Sequence, residues 1–320
     1  MAKAETASKE RYKVPATEPL TAPRPGRQVS EGAVGWLLVS PAVVILLLMT
    51  IGPTLYLFHS SFFSFTLLNP EMKRFVGLQN FVQIFTNPTI RQDLFVTFLF
   101  VALAVGIQLI GGLVLAVALA PRGLGNTIGS TVLLLPFAVT PVVSALIWRQ
   151  LLNPNYGWVD YYLQRFGIIE RPIEWLSSAP TAWVALVGLD VWQWTPFVAL
   201  ILMAGLQGIP KDPQEAAAVD GANVWQKFWH VKLPLLRPFI AIAVLLRVVE
   251  AFKTFGTVQI LTGGGPGRAT ELINLTLYRV GLQDFQIGAA AALGIVFLVV
   301  LSIVISQLLN VLGRNTELLE

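Results

Sequence analysis

The chain has 320 residues, of which 55% are hydrophobic and 12% charged, about half the charged share of a soluble domain. Cysteine is absent and the two histidines, His59 and His230, lie far apart, which excludes a disulfide framework, a thiolate metal site and a Cys nucleophile and argues against a histidine zinc site. The net charge of +4 would suit nucleic acid, but in so apolar a chain the position of the charges outweighs their sum, and no nucleic acid is expected.

Residues 1–32 are polar, Pro-rich and of mixed charge, the composition of a disordered tail. Six apolar runs follow, each long enough for the ~20 residues that cross a bilayer. They are Trp36–Phe58, Leu94–Ala120, Ile128–Leu152, Ala182–Gln207, Phe239–Leu261 and Phe285–Leu312. The first is too long for a signal-peptide core and is read as a retained span. The expected fold is an all-α membrane protein of six transmembrane helices occupying 33–314, with a short tail at 315–320. Gly106, Gly111 and Gly112 in the second span, and Gly288, Ala292 and Gly294 in the sixth, are small residues that permit close helix packing. The connections Asn69–Asp93 and Asn153–Pro180 are too short to be domains.

Outside the spans, twelve Lys and Arg fall on one side of the membrane and seven on the other. The basic side is cytoplasmic by the positive-inside rule, with both termini inside. It also carries the segment 209–238 between the fourth and fifth spans.

That segment has its own punctuation. In Asp212-Pro213-Gln214-Glu215, Asp212 fits an N-cap, Pro213 the first turn and Glu215 the capping-box position. Gly221 fits the left-handed residue that ends a helix. A helix over Pro213–Asp220 is expected, then a second over Val224–Val231 with Trp225, Phe228 and Trp229 on one side. Leu233-Pro234 is expected to stop it and Pro238 to open the next span. A two-turn helix is marginal in water unless packed on something, and Ala216, Ala217 and Ala218 keep its surface low. Composition alone leaves two readings, a docking helix for a partner or an ordinary interfacial loop.

Glu215-Ala216-Ala217, three residues, Gly221, nine residues, Val231, one residue and Leu233-Pro234 resemble the EAA motif of permease subunits in bacterial binding-protein-dependent ABC importers. The family usually has Ile at the position of Val231. "LTGGGPG" (Leu261–Gly267) and "WTPF" with "LQGIP" (Trp194–Pro210) resemble its carbohydrate-uptake branch. The resemblance implies that Glu215, Ala216, Ala217, Asp220 and Gly221 form a coupling helix seated in a cytoplasmic ATPase. It implies two such ATPases holding ATP and Mg, a second homologous permease, an external solute-binding protein, and a sugar, oligosaccharide or polyol as cargo, with the chain placed in the bacterial inner membrane. The chain itself is expected to be a transport subunit without a cofactor and not an enzyme: it has no G-x-x-x-x-G-K-[ST] sequence. The glycine run at 263–267 is read as a flexible external loop that reaches the binding protein, not as a phosphate cradle.

Charged residues inside spans face a cavity or one another. The fifth span carries Arg247, Glu250 and Lys253, where spacing lets Glu250 pair with either base. The fourth carries Asp190-Val191-Trp192-Gln193-Trp194-Thr195-Pro196-Phe197, with Pro196 expected to kink the helix. Trp192, Gln193, Trp194, Asp190, Glu250 and Thr254 combine aromatic faces with planar polar groups, as a carbohydrate site requires. The resemblance places substrate contacts near Asp190, Gln193, Trp194, Phe197, Arg247, Ala251 and Thr254. At Asp190, Trp194, Arg247 and Ala251 the family member with a well-known sugar site has small and amide side chains. The structural alternative is an Arg247–Glu250–Lys253 ion-pair network beside an aromatic belt at Trp192 and Trp194. The competing functional classes are an ion-gradient-driven secondary transporter using Asp190 or Glu250 as a proton site, and a membrane enzyme.

Overall fold

The structure is a computed structural model that describes residues 31–120 and 124–316. The expected tail at 1–32 lies almost wholly outside the described residues, as do 317–320 at the other end. Two compact units are present, Met1–Pro53 and Thr54–Glu320. The first holds most of helix α1 (Glu31–Ser61), with Trp36, Leu38, Leu46, Leu48 and Met49 exposed. The second holds everything else.

In the second unit the end of α1 runs into an antiparallel hairpin, β1 (Phe63–Thr66) and β2 (Asn69–Phe75). Asn80, on α2 (Gln79–Thr86), ties the hairpin down. Its Nδ2 donates to the carbonyls of Ser61 at 2.7 Å and Phe63 at 3.0 Å. Helix α3 (Pro88–Leu119) starts with an Asn87 side chain capping Thr89 N and a proline in its first turn, a pairing that suits a helix start.

The third expected span is not one rod. Helices α4 (Leu124–Leu133) and α5 (Leu135–Ala138) lead to a bend, and α6 (Pro141–Leu151) leaves it; the two halves, Ile128–Ala138 and Pro141–Leu151, meet at 93°. Pro141 is the physical reason, because it cannot donate to the preceding turn and pushes Thr140 to an extended backbone. After the small α7 (Trp158–Arg165), the 30-residue α8 (Ala179–Gly208) runs ~45 Å. Helix α3 packs along its length. The contact is close because Gly112 leaves no room for a side chain: an added Cβ would lie 2.6 Å from Val198 Cγ1 and 3.2 Å from Ala199 N. Gly111 faces Thr195 more loosely, while a Cβ on Gly106 would meet nothing. Gly288 has no space either, its position facing the Phe63 carbonyl.

Helices α9 (Asp212–Val219) and α10 (Val224–Lys227) form the connection, and a π-helical turn, Phe228–Lys232, leads into α11 (Leu233–Phe252). The expected stop at Leu233-Pro234 does not occur. Pro234 falls where the π-turn passes into α11, and Pro238 lies inside the helix instead of opening it. The fifth span also ends early. The chain breaks at Lys253–Phe255 and resumes as α12 (Gly256–Leu261). The break is held by Asn274, whose Nδ2 donates to the carbonyls of Phe252 at 2.6 Å and Thr254 at 3.3 Å. Helix α13 (Ile273–Tyr278), a π-helical turn at Arg279–Gln283 and α14 (Ile287–Thr316) complete the chain.

Among the described residues four helices are thus long and apolar enough to cross a membrane, or five if the bent pair counts as one span. Helix α11, with Arg237, Arg247 and Glu250, is not among them. The main core lies where α3, α8, α11 and α12 meet, around Phe100, Leu186, Leu189, Phe252 and Leu261.

Candidate functional site

Between α3, α8 and α11 lies a buried polar hub. Arg247 is fully buried and Asp190 is 2% exposed. The Arg247 Nη2 donates to Asp190 Oδ2 at 2.9 Å and its Nε donates to Gln108 Oε1 at 2.7 Å. Gln108 Nε2 in turn donates to Asp190 Oδ2 at 2.7 Å and to the Asp190 carbonyl at 3.0 Å. Three helices are joined by one closed set of charge-assisted hydrogen bonds, the stronger kind. The guanidinium also lies over the Trp194 ring, 4.4 Å from its centroid, a cation–π contact in a dry setting. Arg247 Nη1 is buried without a hydrogen-bond partner.

The arrangement follows from helix spacing. Asp190, Gln193, Trp194 and Phe197 stand at i, i+3, i+4 and i+7 and share one face of α8. Trp194 and Phe197 cluster with Phe137 from the bent pair, at centroid distances of 5.4 and 5.3 Å. Gln193 Nε2 donates to the Val139 carbonyl at 2.7 Å, satisfying a group that the bend frees. Ala251, one turn beyond Arg247, is fully buried. Trp192 points elsewhere and packs near Trp148 at 6.0 Å. Glu250 pairs with Lys253 at 2.8 Å on an exposed surface, and Thr254 lies in the break after α11.

Two expectations therefore change. The Arg247–Glu250–Lys253 network does not form, because Arg247 turns to the Asp190 carboxylate on the neighbouring helix and leaves Glu250 to Lys253. Trp194 does not belong to an interfacial belt, since its ring carries the Arg247 guanidinium. Gln108 was not singled out in the sequence, although a lone amide in the uninterrupted apolar run of α3 is the kind of residue that marks an internal contact.

In the connecting segment the geometry is that of a finished surface element. Gly221 has φ +81°. Its N–H reaches the Ala218 carbonyl at 3.1 Å, and the Ala222 N–H reaches the Ala217 carbonyl at 2.9 Å, the paired bonds of a Schellman end. The start differs from expectation. Lys211 is already helical and is the N-cap residue, so Asp212 falls inside the first turn without capping it. Glu215 makes no cap bond; the capping box belongs to Asn223 and Gln226, which exchange bonds of 2.9 and 2.8 Å. Glu215, Ala216 and Asp220 are exposed and Ala217 is half-buried. Val219, Val224, Trp225 and Trp229 are also exposed.

At the far end of α8 from this element, the glycine run is tied down where a flexible loop was expected. Gly263, Gly264 and Gly267 all have positive φ. Thr270 Oγ1 donates to the Gly265 carbonyl at 2.7 Å, and Arg279 Nη2 to the Gly263 carbonyl at 2.6 Å. Beneath it, buried Asp93 and Glu271 meet two partly exposed arginines: Arg268 lies 2.6 Å from Asp93 and 3.5 Å from Glu271, and Arg279 lies 3.2 Å from Glu271. A side chain on Gly264 would run into the Glu271 carboxylate. Burial pushes the Glu271 carboxyl above its ordinary range, against the pull of Arg268 and Arg279. Among the described residues no cluster of three or more His, Asp or Glu could hold a metal ion.

Residues 89–317 match the family of the binding-protein-dependent transport system inner membrane component. The chain belongs to that family. It is 36% identical to the trehalose/maltose transport system permease protein MalF of Thermococcus litoralis, over 87% of this chain and 93% of the relative. It is 33% identical to the sulfoquinovosyl glycerol transport system permease protein SmoG of Agrobacterium fabrum, over 81% and 84% of the two chains. Its fold matches a bacterial ABC transporter involved in the import of the acidic polysaccharide alginate, with a TM-score of 0.77, 21% identity, and 88% and 95% of the two chains covered. This family member is a multi-pass membrane permease whose apolar helices supply the spans.

Proposed function

We propose that the chain is one permease subunit of an ATP-driven importer for a sugar, oligosaccharide or polyol. It forms half of the pathway, beside a second permease, in the cytoplasmic membrane with both termini inside. An external binding protein delivers the solute, and two cytoplasmic ATPases, which hold the ATP and Mg, drive the cycle. The carbohydrate assignment draws on relatives named for trehalose/maltose and sulfoquinovosyl glycerol transport and on an alginate importer solved with a saccharide-bound periplasmic protein.

The observation that carries the coupling role is the α9 element. It is a two-turn helix, capped at its C-terminal end, with Glu215, Ala216 and Asp220 turned outward. It adjoins exposed Val219, Val224, Trp225 and Trp229. So short a helix with that much exposed apolar surface is an interface awaiting a partner. Glu215 supplies the charge, Ala216 and Ala217 the close approach, and Gly221 the turn. The substrate pathway runs beside Trp194, Phe197 and Thr254, with the Asp190–Arg247 pair as its buried wall and Gln193 and Ala251 behind it; Trp192 and Glu250 stand outside this group. A gradient-driven mechanism would need Asp190 or Glu250 free to exchange a proton, and each already holds a cation.

Co-expression with neighbouring genes, purification in mild detergent and native mass spectrometry test the reading. Two ATPases and a second permease are expected, with the ATPases lost on Glu215→Ala while the permease pair persists. Wild-type chain that arrives without an ATPase and still moves solute overturns it.

A further inference from the structure

The segment between α6 and α8 carries a concave cluster with the chemistry of a saccharide site. A cavity of about 350 Å³ opens there, lined by Tyr156, Trp158, Tyr161, Tyr162, Asn155 and Gln164 among others. The rings are not core residues: Trp158 is 69% exposed and Tyr156 64%, with Tyr161 and Tyr162 also exposed. Four aromatic side chains line one open hollow together with polar groups.

The hollow is rigidly built. Asn153 Oδ1 accepts from the Asn155 N–H at 3.0 Å, and the Gly157 N–H reaches the Asn153 carbonyl at 2.7 Å. A side chain on Gly157 would run into the Leu151 and Asn153 carbonyls. Under the rings, buried Asp160 accepts from the Trp175 indole at 2.8 Å and the Ile173 N–H at 3.0 Å, so its carboxylate is a floor and not a ligand. Tyr156 Oη donates to Gln150 at 2.8 Å, and Arg165 donates to Tyr161 Oη at 3.0 Å. Tyr161 and Tyr162 meet edge to face, 5.3 Å apart, and so present one face and one edge side by side.

We infer that this hollow is a second, low-affinity saccharide site on the side of the membrane opposite the α9 element. The aromatic faces take the C–H faces of a sugar ring, and the exposed amides of Asn155 and Gln164 take its hydroxyls. Its placement follows from α8, which ends at Gly208 just before α9 and begins at Ala179 just after this segment. The choice of a saccharide rests on the importer reading above. The site holds solute near the entrance, upstream of the pathway.

Saturation-transfer difference NMR on the assembled transporter in lipid nanodiscs, with trehalose as the probe and no binding protein, tests it. Transfer to the sugar protons at millimolar concentration is expected. Trp158→Ala with Tyr162→Ala is expected to weaken apparent affinity about tenfold, the loss of roughly 1.4 kcal/mol of ring contact, while Trp158→Phe keeps most of it. Absent transfer from the wild type, or equal transfer from the double variant at unchanged melting temperature, overturns the site. So does quenching by brominated lipid of the emission that Trp158→Phe removes, since the ring would then lie in the bilayer interface. A transporter that couples ATP hydrolysis to uptake yet gives no transfer sinks this site alone. Persistent transfer with no ATPase partner sinks the importer reading alone.

Discussion

Asp190 and Arg247 are each expensive to bury and each tolerable only because of the other. Removing one partner leaves an unpaired charge among three helices, which costs about 3–5 kcal/mol, whereas replacing both with apolar groups of similar volume is often neutral. Asp190→Leu and Arg247→Met are therefore each expected to lower the melting temperature of the purified transporter sharply, and the double variant to recover most of the loss. A double variant as unstable as the sum of the singles would show that the two residues do not act as a pair. Glu271 gives a prediction in pH. Its carboxyl is held above the ordinary range, chiefly by burial, so folding favours its protonated form. That contribution is complete below the unfolded value of about 4.3 and is lost as pH rises through the raised folded value. Melting temperature is expected to fall over that window, and Glu271→Gln to flatten the fall.

For whole elements, the contact of α3 with α8 depends on Gly112. Gly112→Val drives a branched side chain into Val198 and is expected to destabilise by about 1–3 kcal/mol, read as earlier loss of helicity on heating. Gly106→Ala, which meets nothing, is expected to be silent or slightly stabilising. The capping box at Asn223–Gln226 belongs to the segment proposed above to dock an ATPase, and Asn223→Ala is expected to cost about 1 kcal/mol there. Because α10 is exposed, that cost is expected as weaker ATPase retention on a column and not as a lower melting temperature. This scale also shows what a sequence can and cannot carry. Apolar length announces α3, α8 and α14, and Gly221 announces the end of α9, because those signals are local. The bend at Val139–Thr140 is in part local, since Pro141 is its cause, but Gln193, the amide that satisfies the freed Val139 carbonyl, is distant in sequence. The break after Phe252 is held by Asn274, also distant, and no pattern within the span announces it. The same holds for the site. Asp190, Gln193, Trp194 and Phe197 came forward through the family resemblance, but the choice of Asp190 over Glu250 as the partner of Arg247 depends on how α8 and α11 face each other.

At the scale of the molecule, the polar features of the second unit include the α9–α10 surface, the hub at Gln108–Asp190–Arg247, and the Asp93–Arg268–Glu271–Arg279 cluster beside the glycine run. The stretch from Phe228 to Phe252 links the first two without an interruption in its helical backbone, as a π-turn flowing into α11. Nineteen residues separate Phe228 from Arg247, roughly 28 Å along such an axis. A helix of this kind behaves as a strut, stiff in compression. In the importer proposed above, a displacement imposed on Trp229 would be delivered along the axis to the guanidinium that bolts three helices together, with Pro234 and Pro238 the prolines inside α11 where the strut can flex.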